Sequence, residues 1–311
     1  MEYYFLKYGD LELQRRMVSD RWRTDAFAAG IAEAVQEGDV VLDVGTGTGL
    51  LAMLAARAGA RRVYGIDASE AVQAAANLVK ANGLDDRVKI LRGPAQELQL
   101  DEPVDLMVSE WLGHMAFVEN MLDDVLAARD ANLRPGGRML PAEVCLRLAP
   151  VDDPYLYFRD GPGFWRRPIH GLDLSPLERM EVRQGRAIQT RVDPSGLLAE
   201  GAALIELDLV TADREDPFRR VDAAFTIARD GVLSGFAGWF EARLSDSVWL
   251  DTGPRSPETH WSQTWMAVEP RPVRAGERLE VSVELARDPL ESRYLSVEVE
   301  LGDDLCRFVV E

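Results

Sequence analysis

The chain has little cysteine, lysine or histidine, and no long apolar run, over its 311 residues. Cys145 and Cys306 are too few and too far apart for a disulfide framework or a zinc motif, so they read as buried thiols. No stretch approaches the roughly 20 uninterrupted apolar residues of a membrane span, and MEYYFLKYGDLELQRRM lacks the basic and apolar regions of a signal peptide. The expectation is therefore a cytoplasmic protein with no metal. Lys7, Lys80 and Lys89 are the only lysines beside abundant arginine and alanine, a bias that suggests a GC-rich bacterial coding sequence. A net charge of -18 opposes general binding to nucleic acid or anionic membrane and favours cationic partners, although acidity also serves solubility alone.

What is present is enough apolar material for two cored units, with 47% hydrophobic and 28% charged residues. Residues 10 to 37 carry apolar positions at helical spacing. EGDVVLDVGTGTG then reads as a buried strand entering a glycine turn, LLAMLAARAGA as a helix and RRVYGID as a second strand. SEAVQAAANLVKANGL, VKILRG and VDLMVSE continue the alternation, which predicts a parallel, doubly wound α/β sheet. MLDDVLAARDANLRPGG predicts a further helix closed by a turn at Pro135, Gly136 and Gly137. Beyond Pro141 the texture becomes alternating: VCLRLAPV, ALIELDLVT, DAAFTIA, WFEARL, RLEVSVELA and YLSVEVEL predict a mostly antiparallel β half. The predicted division is 1–141 and 142–311, with an aromatic, Gly- and Pro-rich excursion over about 155–178.

The turn VLDVGTGTG places Gly45, Gly47 and Gly49 where the backbone must bend tightly and approach a ligand. A dinucleotide fold prefers G-x-G-x-x-G; G-x-G-x-G after the acidic strand end Asp43 suits the cationic amino-acid part of S-adenosylmethionine. Asp67 closes the second strand about 20 residues after Gly47, a place from which an acid accepts hydrogen bonds from ribose hydroxyls. Glu110 and Glu119 lie in SEWLGHMAFVEN directly after the strand VDLMV. A carboxylate pair can grip both edges of a planar guanidinium through charge-assisted bonds, so the loop points to arginine chemistry. Two loop glutamates in an arbitrary chain are more often solvated surface charges; the glycine turn beside them favours the functional reading.

These residues resemble the protein arginine methyltransferases, from YYFLKYG through VLDVGTGTGLL, YGID, SEWLGHMAFVENML and ARDANLRPGG to SPETHWSQTW. The resemblance implies a Rossmann-like domain, a β-barrel domain and an inserted arm that builds a ring-shaped homodimer, the arm falling on the 155–178 excursion. It implies that Glu110 and Glu119 bind the acceptor, with Thr259, His260 and Trp261 as the THW loop and Asp20 as the acid paired with His260. It implies Arg23 for the cofactor carboxylate, Met17 and Met121 around the reacting groups, and Ala95 and Gln96 on the adenine side. Tyr4, Phe5 and Tyr8 match an amino-terminal motif that folds over the cofactor, Tyr4 toward the acceptor. Gln14, Asp67 and Gln96 stand where the family has histidine, glutamate and glutamate, all still able to form hydrogen bonds. His114 and Val118 replace tyrosines in the double-glutamate loop, which implies an altered acceptor pocket.

The expectation is thus S-adenosylmethionine-dependent N-methylation of a guanidino group. Free L-arginine is favoured as acceptor by the short stretch before Tyr4, the bacterial composition and the altered loop, as in a bacterial branch of the streptozotocin-pathway type. Peptidyl arginine is the alternative, a cofactor-binding dimeric scaffold without activity a second, and methylation of another small molecule a third.

Overall fold

In the computed structural model, residues 10–311 are described. The expectations for Tyr4, Phe5 and Tyr8 lie outside the described residues. The helical periodicity of the first segment is divided by a capping residue. α1 (Leu11–Ser19) starts at Asp10, whose side chain accepts from the Glu12 amide, and ends at Asp20. α2 (Arg21–Ala34) starts at that same Asp20, whose side chain accepts from the Arg23 amide. A short acid at an N-cap satisfies amides that the helix leaves unpaired, so Asp20 bends one expected helix into two.

The following strands are β1 (Val40–Val44), β2 (Arg62–Asp67), β3 (Val88–Arg92), β4 (Val104–Ser109) and β5 (Leu133–Leu140). They form a parallel sheet in the order β3-β2-β1-β4-β5, with α3 (Leu50–Arg57), α4 (Ala71–Ala81) and α5 (Leu122–Asn132) as crossovers. All five residues of β1 are buried, as a strand covered on both faces requires. The order reverses direction between β1 and β4, which opens a crevice at their carboxyl ends. The turn expected at Pro135, Gly136 and Gly137 is corrected: α5 stops at Asn132, and these residues lie inside β5. Pairing jumps from Val104↔Leu133 to Leu106↔Arg138, and Gly136 at φ 72° takes up the resulting bulge.

β6 (Glu143–Val151) opens the second half. One sheet runs β8-β13-β11-β6-β9, from β8 (Ile188–Thr190), β9 (Ala202–Asp208), β11 (Gly231–Arg243) and β13 (Gln263–Val273). β12 (Trp249–Asp251) pairs with β11 outside this order. A second sheet runs β10-β14-β15-β16-β7, from β7 (Gln184–Arg186), β10 (Arg220–Thr226), β14 (Arg278–Arg287), β15 (Leu295–Leu301) and β16 (Asp304–Val310). Their pairings are antiparallel except for the parallel β16–β7 contact, so the half is barrel-like. β14 shows why: Leu279, Val281, Val283 and Leu285 are buried while Arg278, Glu280 and Glu284 face outward. One apolar core joins both halves, from Phe27 and Leu42 to Phe236 and Val281.

The excursion is more helical than its weak periodicity predicts. α6 (Pro154–Arg159), a 3-10 turn (Pro162–Arg166) and α7 (Pro176–Arg183) fold around Tyr157, whose ring meets Trp265 edge-on at 6.4 Å and whose hydroxyl reaches Glu178 at 2.8 Å. Such short helices form only because Pro starts and tertiary packing replace the long apolar stripe of a free-standing helix.

Candidate active site

At the crevice lies a cavity of about 260 Å³. Its floor is the glycine turn, where Gly45, Gly47 and Gly49 have φ of 72°, 53° and 77°, values that cost L side chains strain. A Cβ on Gly47 would stand 3.0 Å from Gln14 Oε1, and one on Gly45 in ordinary contact at 3.5 Å from the Met121 methyl, so α1 and the start of α5 close over the turn. Gly45, Gly47, Asp67, Ala95 and Gln96 line the cavity together with Gln14, Met17, Arg23 and Met121. Asp67 is held by Gly47 N at 2.9 Å and Ser69 N at 2.8 Å, one bond to each carboxylate oxygen, which leaves each oxygen able to accept again.

Two expected cofactor residues are placed elsewhere. Asp43 is 1% exposed and lies beneath the turn, its Oδ2 accepting from Thr46 Oγ1 at 2.7 Å and from Ala52 N at 3.0 Å. Burial pushes its carboxyl up to about 7, and the acid ties the turn to α3 from behind the cavity wall. Gly49 caps α3 and admits α4, since a Cβ there would sit 3.3 Å from Ala75 Cβ.

At the other end stand Glu110, His114 and Glu119, with His260 and Trp261 from the barrel half. Glu110 is already engaged: Oε2 accepts from Arg23 Nε at 2.9 Å and Nη2 at 2.5 Å, and Oε1 from Leu112 N at 3.1 Å. Both side chains of this ion pair are below a tenth exposed. Arg23, from α2, and Glu110, after β4, are thus tied together on one cavity wall. The loop carrying Glu119 is unusual in its backbone, with Met115, Ala116, Glu119 and Asn120 all at φ between 50° and 80°. Glu119 N donates to the Arg293 carbonyl at 2.6 Å, which anchors the loop on the barrel.

The THW segment fastens the same loop from the opposite side. Trp261 Nε1 donates to Leu112 O at 2.7 Å, and His114 Nδ1 meets Trp261 O at 2.9 Å. That bond leaves the other ring nitrogen of His114 as an acceptor, and burial drives its pKa down to about 4, so the ring is neutral at pH 7. His260 is held by Asp20, whose Oδ2 accepts from the His260 amide and bonds its Nδ1, both at 2.8 Å. Burial opposes the charge on Asp20, but the bonds from His260 and the Arg23 amide outweigh it and lower its pKa. Asp20 is not on the cavity wall; it borders a surface groove on the far side of His260, and His260 touches both spaces.

Residues 144–303 match the arginine methyltransferase oligomerization subdomain, and residues 41–137 match a methyltransferase domain. The chain is 34% identical over 308 residues to protein arginine N-methyltransferase 1 of Schizosaccharomyces pombe, covering 97% of this chain and 89% of that one. This protein belongs to the arginine methyltransferase family. It is 34% identical over 277 residues to protein arginine N-methyltransferase 6 of Xenopus laevis, covering 86% of this chain and 81% of that one. In structure it is similar to the Trypanosoma brucei PRMT1 enzyme–prozyme heterotetrameric complex with AdoHcy, at a TM-score of 0.91 and 30% identity over 98% of this chain and 99% of that chain. It is also similar to PRMT6 bound to SAH, at 0.76 and 30% identity over 94% of this chain and 100% of that chain.

The methyltransferase uses S-adenosylmethionine, and the cavity fits it. A guanidinium that suits a carboxylate, a glycine turn at positive φ and a carboxylate with spare acceptor sites that suits ribose hydroxyls succeed one another along the wall. Sequence reading missed the wall residues Thr46, Thr48, Pro94, Trp111 and Asp124. Thr46 and Thr48 were in reach as part of the glycine turn; nothing in the local pattern marks Asp124.

Proposed function

We propose that this enzyme methylates the guanidino nitrogen of arginine side chains in proteins or peptides. The observation carrying this reading is that Glu110 and Glu119 line one cavity with Arg23 and the glycine turn. That the relatives above are protein arginine N-methyltransferases supports a protein acceptor over the free amino acid favoured by sequence alone. The net charge of -18 suits basic segments.

Bound S-adenosylmethionine supplies an electrophilic methyl group on a sulfonium. Arg23 would hold its carboxylate, Asp67 its ribose, and the glycine turn its backbone-facing side. A carboxylate accepts about four hydrogen bonds. Glu110 already receives three, from Arg23 Nε, Arg23 Nη2 and Leu112 N, so it offers about one more to an acceptor and Glu119 must supply the rest of the grip. Drawing the cation's charge toward the two acids leaves one terminal nitrogen more nucleophilic, and positioning supplies most of the acceleration. That nitrogen sheds a proton as it gains a methyl group. The clamp acids are acceptors within the cavity, and His260, oriented by Asp20, is the titratable group between it and the outer groove.

The arm supports a homodimer. Tyr155, Leu172 and Met180 are each 66% exposed on a short excursion, an apolar surface of the kind that marks an interface. Among the described residues no helix is long and apolar enough to cross a membrane.

Mass spectrometry after incubation with S-adenosylmethionine and either an arginine-glycine peptide or free L-arginine tests the reading. Methyl gain on the peptide is expected. Gain on free arginine alone would restore the free amino acid as acceptor, and gain on neither would leave a scaffold without activity.

A further inference from the structure

The two acids of the clamp are fixed by different means. Glu110 follows β4 directly and is tied to Arg23. Glu119 stands with Asn120 at φ of 80° and 54°, two consecutive residues in the left-handed region, where a glutamate is disfavoured. A backbone of that kind persists only when its surroundings over-determine it. The restraint comes from one corner of the barrel half, where β14 ends at Arg287 and β15 begins at Leu295. Asp288 folds that corner, accepting from Leu290 N at 2.9 Å and Glu291 N at 3.0 Å, while its own amide donates to Tyr294 O at 3.1 Å. The corner thereby presents two groups to two consecutive residues: the Arg293 carbonyl to the Glu119 amide, and the Arg287 guanidinium to the Asn120 side chain.

Arg287 is itself held from several sides. Its Nη2 donates to Asp123 Oδ1, at the start of α5, at 3.0 Å and to Arg214 O at 3.2 Å. The ring of Phe218 covers the guanidinium, its centroid 4.3 Å from the central carbon. None of these three residues is on the cavity wall; they set the plane and direction of the guanidinium, and Nη1 is left to donate to Asn120 Oδ1. A planar fork holds two partners at a fixed separation, which a single ammonium cannot do. We propose that Arg287 is a positioning residue for the methyl transfer, holding Glu119 through Asn120 in the backbone conformation that keeps this acid on the cavity wall beside Glu110. The clamp is then completed by the barrel half: α2 steadies one acid and the β14–β15 corner the other.

The inference rests on the clamp role proposed for Glu119, and the test separates the two. Steady-state kinetics are measured with the acceptor that the wild type methylates, alongside calorimetry with S-adenosylhomocysteine. Glu119→Gln tests the clamp, and turnover retained there would remove that role and the proposal with it. Arg287→Ala should lower kcat/KM for the acceptor at least about tenfold, while the KM for S-adenosylmethionine and the affinity for S-adenosylhomocysteine stay within about twofold. Asn120→Gly adopts the same φ without strain and leaves Arg287 its other partners, so it folds even where Arg287→Ala does not. It should show the same loss, and the double variant should be no worse than either single one, because both cut one connection. Wild-type acceptor kinetics in Asn120→Gly, with Glu119→Gln impaired, would overturn the proposal and leave the clamp standing. Losses that multiply in the double variant would also overturn it, since they would show that Arg287 acts by another route.

Discussion

His114 shows how much one ring can report about its surroundings. Its pKa is about 4 in the folded protein and 6.5 ordinarily. Between those values the unfolded chain holds a proton that the folded chain lacks, so stability falls as pH drops from 6.5 toward 4 and levels off below it. The full effect is about 3 kcal/mol. Urea unfolding of His114→Gln, which keeps a donor for the Trp261 carbonyl, should show a flatter dependence between pH 7 and pH 5 than the wild type. An identical slope would place the titrating group elsewhere. Glu110 and Asp67 were legible in the sequence because each closes or follows a strand, whereas Arg23, inside α2, was marked only by the family resemblance. Asp43 and Asp124 were not legible. Each is an acid beside an expected site, and only burial shows that the first faces away from the cavity and the second faces into it.

At the scale of elements, the double-glutamate loop depends on one close approach. A Cβ on Gly113 would stand 2.1 Å from the carbonyl oxygen of Val118, which follows the turn closed by the Gly113–Ala116 bridge. Gly113→Ala should displace Glu119 and lower kcat/KM about 100-fold, since small misplacements of positioning groups carry penalties of that order. Affinity for S-adenosylhomocysteine should stay within a few fold, because the glycine turn is untouched. Steady-state kinetics and calorimetry separate the two, and unimpaired turnover would show that the loop can rearrange freely. The parallel sheet was legible through alternating periods, but Pro135–Gly136–Gly137 misled: a turn signature also serves a bulge, and only strand pairing distinguishes them. The arm's helices escaped for a related reason, as their partners are Trp265 and each other and not a regular stripe.

For the whole molecule, the arm's exposed side chains carry a prediction about assembly. Leu172→Glu together with Met180→Glu places charge on two positions that are each 66% exposed, so the fold should keep its melting temperature. Sedimentation should change from dimer to monomer in the double variant. A dimer of undiminished affinity would move the interface off this surface.

The Arg23–Glu110 ion pair sets a final expectation, because the function proposed above assigns its two partners to different ligands. A donor carboxylate that recruits Arg23 relaxes its hold on Glu110, so the anionic end of one substrate releases a seat for the cationic end of the other. Linkage makes that assistance mutual. Titrating an arginine peptide into the enzyme with and without saturating S-adenosylhomocysteine should give tighter binding in its presence, and equal affinities would mean that the shared contact never changes hands.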